Sequence, residues 1–367
     1  MLTSEMNKKY DLQTDRQTDR QTDRQTDRQT DRQTDRQAWI DVLKGFAIIL
    51  VVFGHAIDGT INSTPEAELV SFEIVHRIIY GFHMSLFFFI AGFFVHKWTM
   101  HSPNIAIKEK ALRLIEPYFV WVIIVSVIKH LTASIQNNPI SWKAAIQSPF
   151  VMFEEYWFIY TMFFIQIVYY LFARCKIKKF FIPFSICCFL LSPIIPNIWI
   201  FNLFSQFAIY FSLGTIYSPK VVKNIVNQKR FLIIACFLIV NIILVMFVVP
   251  LNNNIVDTYY LLLTSIFGIG FLSLIVIKIK APMIQFLGQK SMEIFCIHPS
   301  ISGILRVILI KLIGFRFFWT RTIIVTVLTI VICFVLFKIW PDNGFVYKTL
   351  FGGWKVRRHN VTVHAAK

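Results

Sequence analysis

The chain has 367 residues, of which 56% are hydrophobic and only 16% charged, against about 25% charged and 45–50% apolar in a soluble globular domain. With 38 phenylalanines and a mean hydropathy of +0.60, it lacks the polar surface to enclose a water-soluble core and reads as an all-α polytopic membrane protein. Its formal charge of +17 sits in short clusters between apolar runs, which is the pattern of positive-inside loops and excludes a nucleic-acid binder.

Residues 1–37 are polar and predict a disordered N-terminal arm. Within it, Gln13 to Arg36 is six uninterrupted copies of Gln-Thr-Asp-Arg, with alternating charge and no apolar residue to offset the entropy of ordering. The same peptide is encoded by the tetranucleotide CAGA read through successive frames. Four is not a multiple of three, so gain or loss of one unit shifts the frame, and the tract predicts phase-variable translation. The alternative is an ordinary low-complexity peptide. No secretory signal peptide is expected, because no small-residue cleavage site follows the first apolar run.

A membrane span needs about 20 apolar residues. Runs of that kind cover 39–56, 74–95, 114–130, 157–173, 180–196, 199–217, 231–250, 259–277, 284–304 and 321–340, predicting about ten transmembrane helices within 38–342. Gln289, Lys290, Glu293 and His298 make 284–304 the weakest. With the N-terminus cytoplasmic, inside loops hold Lys97, Lys108, Lys110 and Arg113; Arg174, Lys176, Lys178 and Lys179; Lys220, Lys223, Lys229 and Arg230; and Lys278 and Lys280. Among the first four outside loops only the second holds a cation, Lys143, while the first carries Asp58, Glu66, Glu68 and Glu73. Both termini are therefore expected in the cytoplasm, with 343–367 a basic tail. Arg306, Lys311, Arg316 and Arg321 break the pattern: either that end re-enters the membrane or its cations have a task there. Cys175, Cys187, Cys188, Cys236, Cys296 and Cys333 lack ligand spacing and read as membrane-packed thiols.

Ionisable groups at bilayer depth are costly and mark function by default. In the first run, Lys44 and His55 are eleven residues apart, which returns them nearly to one helix face about 16 Å apart along the axis. Asp41 lies three residues before Lys44 and can pair with it. Simpler readings are snorkelling for Lys44 and an interfacial site for His55. His83 falls near the middle of the second run, while His76 and Arg77 read as interfacial. Lys110 and Arg113, at i and i+3, form a cationic pair suited to phosphates, or else ordinary positive-inside anchors. Lys290, Ser291, Glu293 and His298 share one late segment. Three histidines able to face one cavity make a base available near neutrality, and their spacing argues against a metal.

These segments together resemble the acyltransferase 3 family of membrane acyltransferases, most closely its shorter members that acetylate sugars. Lys44 and His55 look like its motif of a basic residue, ten residues and a histidine. Lys110 and Arg113 resemble its basic-x-x-basic motif, and FHMSLFFFIAG its Phe-His-Met-Pro-Leu-Phe-Phe-Phe signature, with Ser85 in place of proline. Trp157, Phe158 and Gln166 resemble its Trp-Phe-Leu segment, and Gly288, Ser291 and His298 its late Gly-x-x-Ser…His segment. Glu116 departs by replacing an aliphatic residue before Pro117.

The resemblance implies transfer of an acyl group, usually acetyl, from cytoplasmic acyl-CoA to a hydroxyl of a carbohydrate: a surface polysaccharide, a lipopolysaccharide or a lipid-linked sugar. The enzyme would sit in the inner (plasma) membrane, with no metal and no nucleic acid. Lys110, Arg113 and Lys44 would then hold the polyanionic donor. His55 would deprotonate the acceptor or carry the acyl group, and His83 and His298 would orient the base or relay protons. A proton-coupled transporter or acyl-group conduit is the alternative class, although no half-to-half similarity of the kind common in carriers is visible.

Overall fold

The computed structural model describes residues 38–61, 66–132, 142–194, 199–217, 254–314 and 317–354, with five isolated residues between 233 and 243. The repeat tract, all but those five residues of the predicted span 231–250, the cations of the loop 218–230 and the tail beyond 354 lie outside the described residues. Every regular element among the described residues is helical.

The main helices are α1 (Ala38–Ile61), α2 (Glu66–Tyr80), α3 (His83–Phe93), α4 (Pro103–Lys110), α5 (Glu116–Leu131), α6 (Trp157–Arg174), α7 (Phe181–Leu191), α8 (Trp199–Ile216), α9 (Asn254–Val276), α10 (Pro282–Gln289), α11 (Ser291–Val307), α12 (Phe318–Ile339) and α13 (Phe345–Phe351). Among the described residues eight helical stretches are long and apolar enough to cross a membrane, α2–α3 and α4–α5 each forming one continuous stretch. The run predicted at 180–196 yields only the 11 residues of α7, about 16 Å of rise against a hydrocarbon core of about 30 Å. The span predicted at 284–304 is corrected to two helices. The chain turns at Lys290, between α10 and α11, and the membrane-length stretch runs from Ser291 to Ile310.

α1 is the central helix. Leu43, Ala47, Ile48, Val51 and Val52 have no exposed surface, so one face of the apolar run packs on protein, while Phe46, Ile49 and Leu50 stay partly exposed. α3 crosses α8 with backbone against backbone, because a side chain on Gly92 would strike the carbonyl of Phe211 and one on Gly214 the carbonyl of Phe89. Such close approach replaces the hydrophobic driving force that helices lose in lipid. Gly92→Val is expected to cost roughly 1–3 kcal/mol through overpacking, visible as a lower unfolding midpoint in detergent; an unchanged midpoint would show that the crossing is not tight.

The second span breaks without proline. Gly81 and Phe82 form a turn between α2 and α3, and the Gly81 carbonyl accepts the Ser265 hydroxyl at 2.5 Å while Ser85 Oγ lies 2.9 Å from Ser265 Oγ. At Ser85, where the signature that the chain resembles has proline, a pair of hydroxyls from α3 and α9 steadies the bend.

The C-terminal helix α13 closes one end of the bundle. Its Leu350 carbonyl accepts the Trp121 indole N–H at 2.8 Å, and the Trp354 indole N–H donates to Glu116 at 3.1 Å. Glu116, the departure before Pro117, thus has a local partner. Gly352, at φ 73°, ends α13 in the left-handed region against the Arg113 carbonyl. Lys290 donates to Tyr347 at 2.8 Å and to Asp342 at 3.2 Å, and Tyr347 donates to Glu293 at 2.5 Å. The Lys290 bond holds the Asp342 carboxyl below its usual range, whereas burial pushes the Tyr347 hydroxyl up.

Candidate active site

The last turns of α1 carry His55, Asp58, Gly59 and Thr60. The His55 and His298 rings lie 5.2 Å apart between centroids, so the structure brings together two residues separated by most of the chain. His55 Nδ1 faces two carboxylates, Asp58 at 3.8 Å and Glu155 at 3.7 Å. Both exceed hydrogen-bond length, yet their negative field favours a proton on Nδ1 and leaves Nε2 as the bare acceptor.

Asp58 is itself held. His76 Nε2 lies 2.8 Å from one of its oxygens and the Tyr80 hydroxyl donates to the other, while the His76 and Tyr80 rings stack at 3.9 Å. Glu155 belongs to a short turn before α6. Tyr156 donates to the Cys296 carbonyl at 2.7 Å, and Lys129 pairs with Glu154 at 2.8 Å. Glu154 has φ 42°, a conformation uncommon for a non-glycine residue. Anchors on both sides therefore fix Glu155 beside His55.

His298 owes its orientation to the residue after it. Pro299 has no N–H, so the Phe295 carbonyl one turn earlier loses its helical partner. His298 Nδ1 lies 2.9 Å from that carbonyl and 3.1 Å from the Ile294 carbonyl. A carbonyl only accepts, so Nδ1 carries the proton and Nε2 the lone pair. That Nε2 is buried without a hydrogen-bond partner. His83 repeats the device at the bend of the second span, where its Nδ1 lies 2.7 Å from the Ile79 carbonyl and its ring meets Tyr80 edge-on at 4.8 Å.

Pro299→Ala is expected to supply an N–H to the Phe295 carbonyl and loosen His298. Loss of about one net hydrogen bond predicts a rate about tenfold lower for the reaction at this site, without a lower melting point, since alanine favours the helix. An unchanged rate would show that Pro299 does not set the working orientation of His298.

The opposite end of α1 holds the cations. Lys44 pairs with Asp41 at 2.8 Å and lies 5.9 Å from the Phe94 ring centroid. Lys110 sits 4.8 Å from the Trp98 centroid. Phe94 and Trp98 are one helical turn apart, so Lys44 and Lys110 flank the same short segment. Arg113 is exposed and is an electrostatic neighbour of Lys110. Residues 111–115, which include Arg113, form a π-helical bulge, a distortion found often at functional sites.

The sequence-predicted residues thus form two groups. His55, His298 and, through Tyr80, His83 lie toward one end, and Lys44, Lys110 and Arg113 toward the other. Asp58, Glu155, His76 and Tyr80 complete the first group and were not among the predicted site residues. In the sequence Asp58 falls in a loop and His76 at the interface, and Glu155 has no motif to mark it. Among the described residues no group of three or more His, Cys, Asp or Glu could hold a metal ion.

The acyltransferase domain family matches residues 37–338. The chain belongs to the acyltransferase 3 family. No curated protein and no solved structure matches it. This acyltransferase is a multi-pass membrane protein, and its matched region contains both groups of residues.

Proposed function

We propose that the protein is an O-acetyltransferase of the inner membrane, with its N-terminus cytoplasmic, that moves an acetyl group from acetyl-CoA to a hydroxyl of a surface or lipid-linked carbohydrate. The observation that supports it most is the division of α1: cations at its N-terminal end, and at the other end a histidine backed by two carboxylates. The polyanionic donor lies against Lys44, Lys110 and Arg113. Its extended pantetheine arm covers the axial distance of about 16 Å to His55.

His55 Nε2 takes the proton of the acceptor hydroxyl as that oxygen attacks the thioester carbonyl. The carbon–sulfur bond then breaks, and CoA leaves as a thiolate that takes up a proton. Asp58 and Glu155 stabilise the imidazolium formed meanwhile. His298 and His83, each with a bare Nε2, are placed to accept hydrogen bonds around the reacting centre. The Gln-Thr-Asp-Arg tract makes expression of the modification phase-variable.

Mass spectrometry of cell-surface and lipid-linked glycans from in-frame, deletion and His55→Ala strains tests this reading. The mass of one acetyl group present only in the in-frame strain is expected. Identical glycans in all three strains would refute it.

A further inference from the structure

His298 keeps one uncommitted hydrogen-bonding atom inside the candidate site. The side chain has no exposed surface, and its Nε2 has no hydrogen-bond partner among the described residues. The Nδ1 proton is committed to carbonyls of its own helix, Phe295 at 2.9 Å and Ile294 at 3.1 Å. Nε2 therefore presents a lone pair and can only accept. A buried acceptor left without a donor is costly.

The groups around it supply no such donor. The side chains that act most strongly on this ring are His55 and Glu155. The His55 ring lies 5.2 Å away between centroids, with its proton drawn to Nδ1 by Asp58 and Glu155 and its own Nε2 bare. The Glu155 carboxylate only accepts. Hydroxyls of the site are spent elsewhere: Tyr156 donates to the Cys296 carbonyl, Tyr80 to Asp58, and Ser302 to the Pro299 carbonyl. Two neighbouring imidazoles thus offer two lone pairs. The reacting hydroxyl brings a single hydrogen, and His55 takes it. A second O–H is needed for His298.

We infer that His298 Nε2 accepts a hydrogen bond from a second hydroxyl of the acceptor sugar, on the ring carbon next to the one that is acetylated. The inference rests on the acyl-transfer reading for the identity of the ligand as an acceptor. Each bond from a hydroxyl to a ring nitrogen takes about 3 Å, so neighbouring hydroxyls of one sugar unit reach two rings that stand 5.2 Å apart. His298 is then a specificity-determining residue that touches substrate. The acceptor class narrows to carbohydrates with a free vicinal diol at the point of transfer. A hydroxyl flanked only by deoxy or ether carbons is a poor acceptor, because it leaves the buried lone pair unmet.

The test uses the full chain in phosphatidylcholine nanodiscs with acetyl-CoA and a panel of methyl glycosides. The position acetylated on the best acceptor is read by NMR. That parent glycoside is then compared with counterparts in which one neighbouring carbon at a time is deoxy or deoxyfluoro. Fluorine is close in size to the oxygen but cannot donate a hydrogen bond. At one of the neighbouring carbons, both changes are expected to lower kcat/KM by about tenfold or more. His298→Phe should lose activity mainly toward the parent, which brings that ratio close to one. His298→Gln, whose side-chain oxygen still accepts, should keep part of the preference. With isotope-labelled histidine, the His298 Nε2 signal is assigned by its loss in the Gln variant. It should shift on adding the parent glycoside and stay in place with the deoxyfluoro counterpart or with acetyl-CoA alone.

Equal use of the parent and all its counterparts by the wild-type protein would overturn the inference. So would a His298→Phe variant weakened by the same factor toward every acceptor, which marks a histidine that only orients the base or holds the fold. A signal moved by acetyl-CoA alone would give the lone pair to an amide of the donor, and a signal moved by no ligand would give it to water. Either overturns the inference as well. A shift and selective binding for one glycoside over its deoxy counterparts, with no acetyl transferred, would uphold the hydroxyl contact and refute the acyltransferase reading instead.

Discussion

His55→Ala should abolish acetyl transfer, with a fall of at least about 10²-fold expected from loss of a positioned general base, while the protein accumulates and inserts normally. His55 is not a packing anchor: it faces Asp58, Glu155 and the His298 ring, and the apolar packing at this end of α1 falls to Ala56 and Ile57. The loss should fall on kcat more than on KM for acetyl-CoA, because the donor cations lie toward the other end of the helix. His55→Gln separates hydrogen bonding by the residue from proton transfer or acyl carriage. Glutamine retains hydrogen bonding but neither takes the proton nor carries the acyl group, so it should be as inactive as alanine. Wild-type rates in either variant would remove His55 from the chemistry. Retention of the protein by size-exclusion chromatography distinguishes lost chemistry from lost folding.

Lys110→Ala and Arg113→Ala should act on the other substrate. A hydrogen bond to a charged group contributes about 1.5–3 kcal/mol, so each substitution is expected to raise the KM for acetyl-CoA by about 10- to 100-fold with kcat changed much less. Lys110 should give the larger effect. It is the more buried of the two and is steadied over the Trp98 ring, which itself donates to the Ala106 carbonyl at 3.0 Å. Arg113 is exposed and retains conformational freedom that donor binding must remove. Titrating acetyl-CoA at saturating acceptor reads both constants. A fall in kcat with unchanged KM would place these cations outside the donor site.

Much of this arrangement was legible in the sequence because bilayer chemistry leaves few explanations for polar residues in apolar runs. Lys44, His55, His83 and His298 stand out for that reason; His83 starts a helix after the bend and His298 precedes a proline. The carboxylates were not legible. Asp58 and Glu155 lie at the margins of their apolar runs, where an acid reads as a solvated loop residue. Asp58 faces His55 from three residues along the same helix because α1 runs on to Ile61, beyond the apolar run, and only the packing of the turn before α6 brings Glu155 there. His76 was read as interfacial on the same ground.

Helix ends were less legible than helix faces. The apolar run 284–304 hides the turn at Lys290, because Gln289 and Lys290 look like interruptions of one span until their partners Asp41, Asp342 and Tyr347 are seen. The run 180–196 counts as a span by composition, yet α7 has only 11 residues and packs on α8 through the Ser185–Ser212 hydroxyl pair at 2.9 Å. The excess of arginine after the ninth predicted span was visible as an anomaly. Its place depends on Gly59, whose missing side chain makes room for the Arg306 guanidinium that only the tertiary structure brings there.

The most direct test of the central claim is single-turnover transfer from acetyl-CoA labelled in the acetyl group. It uses the purified wild-type and His55→Ala proteins in nanodiscs with the panel of methyl glycosides present. Label should appear on a sugar hydroxyl with the wild-type protein and stay on CoA with the variant, although the variant still binds the donor. Label reaching the sugar at equal rates with both proteins, or never with the wild-type protein, would contradict the account.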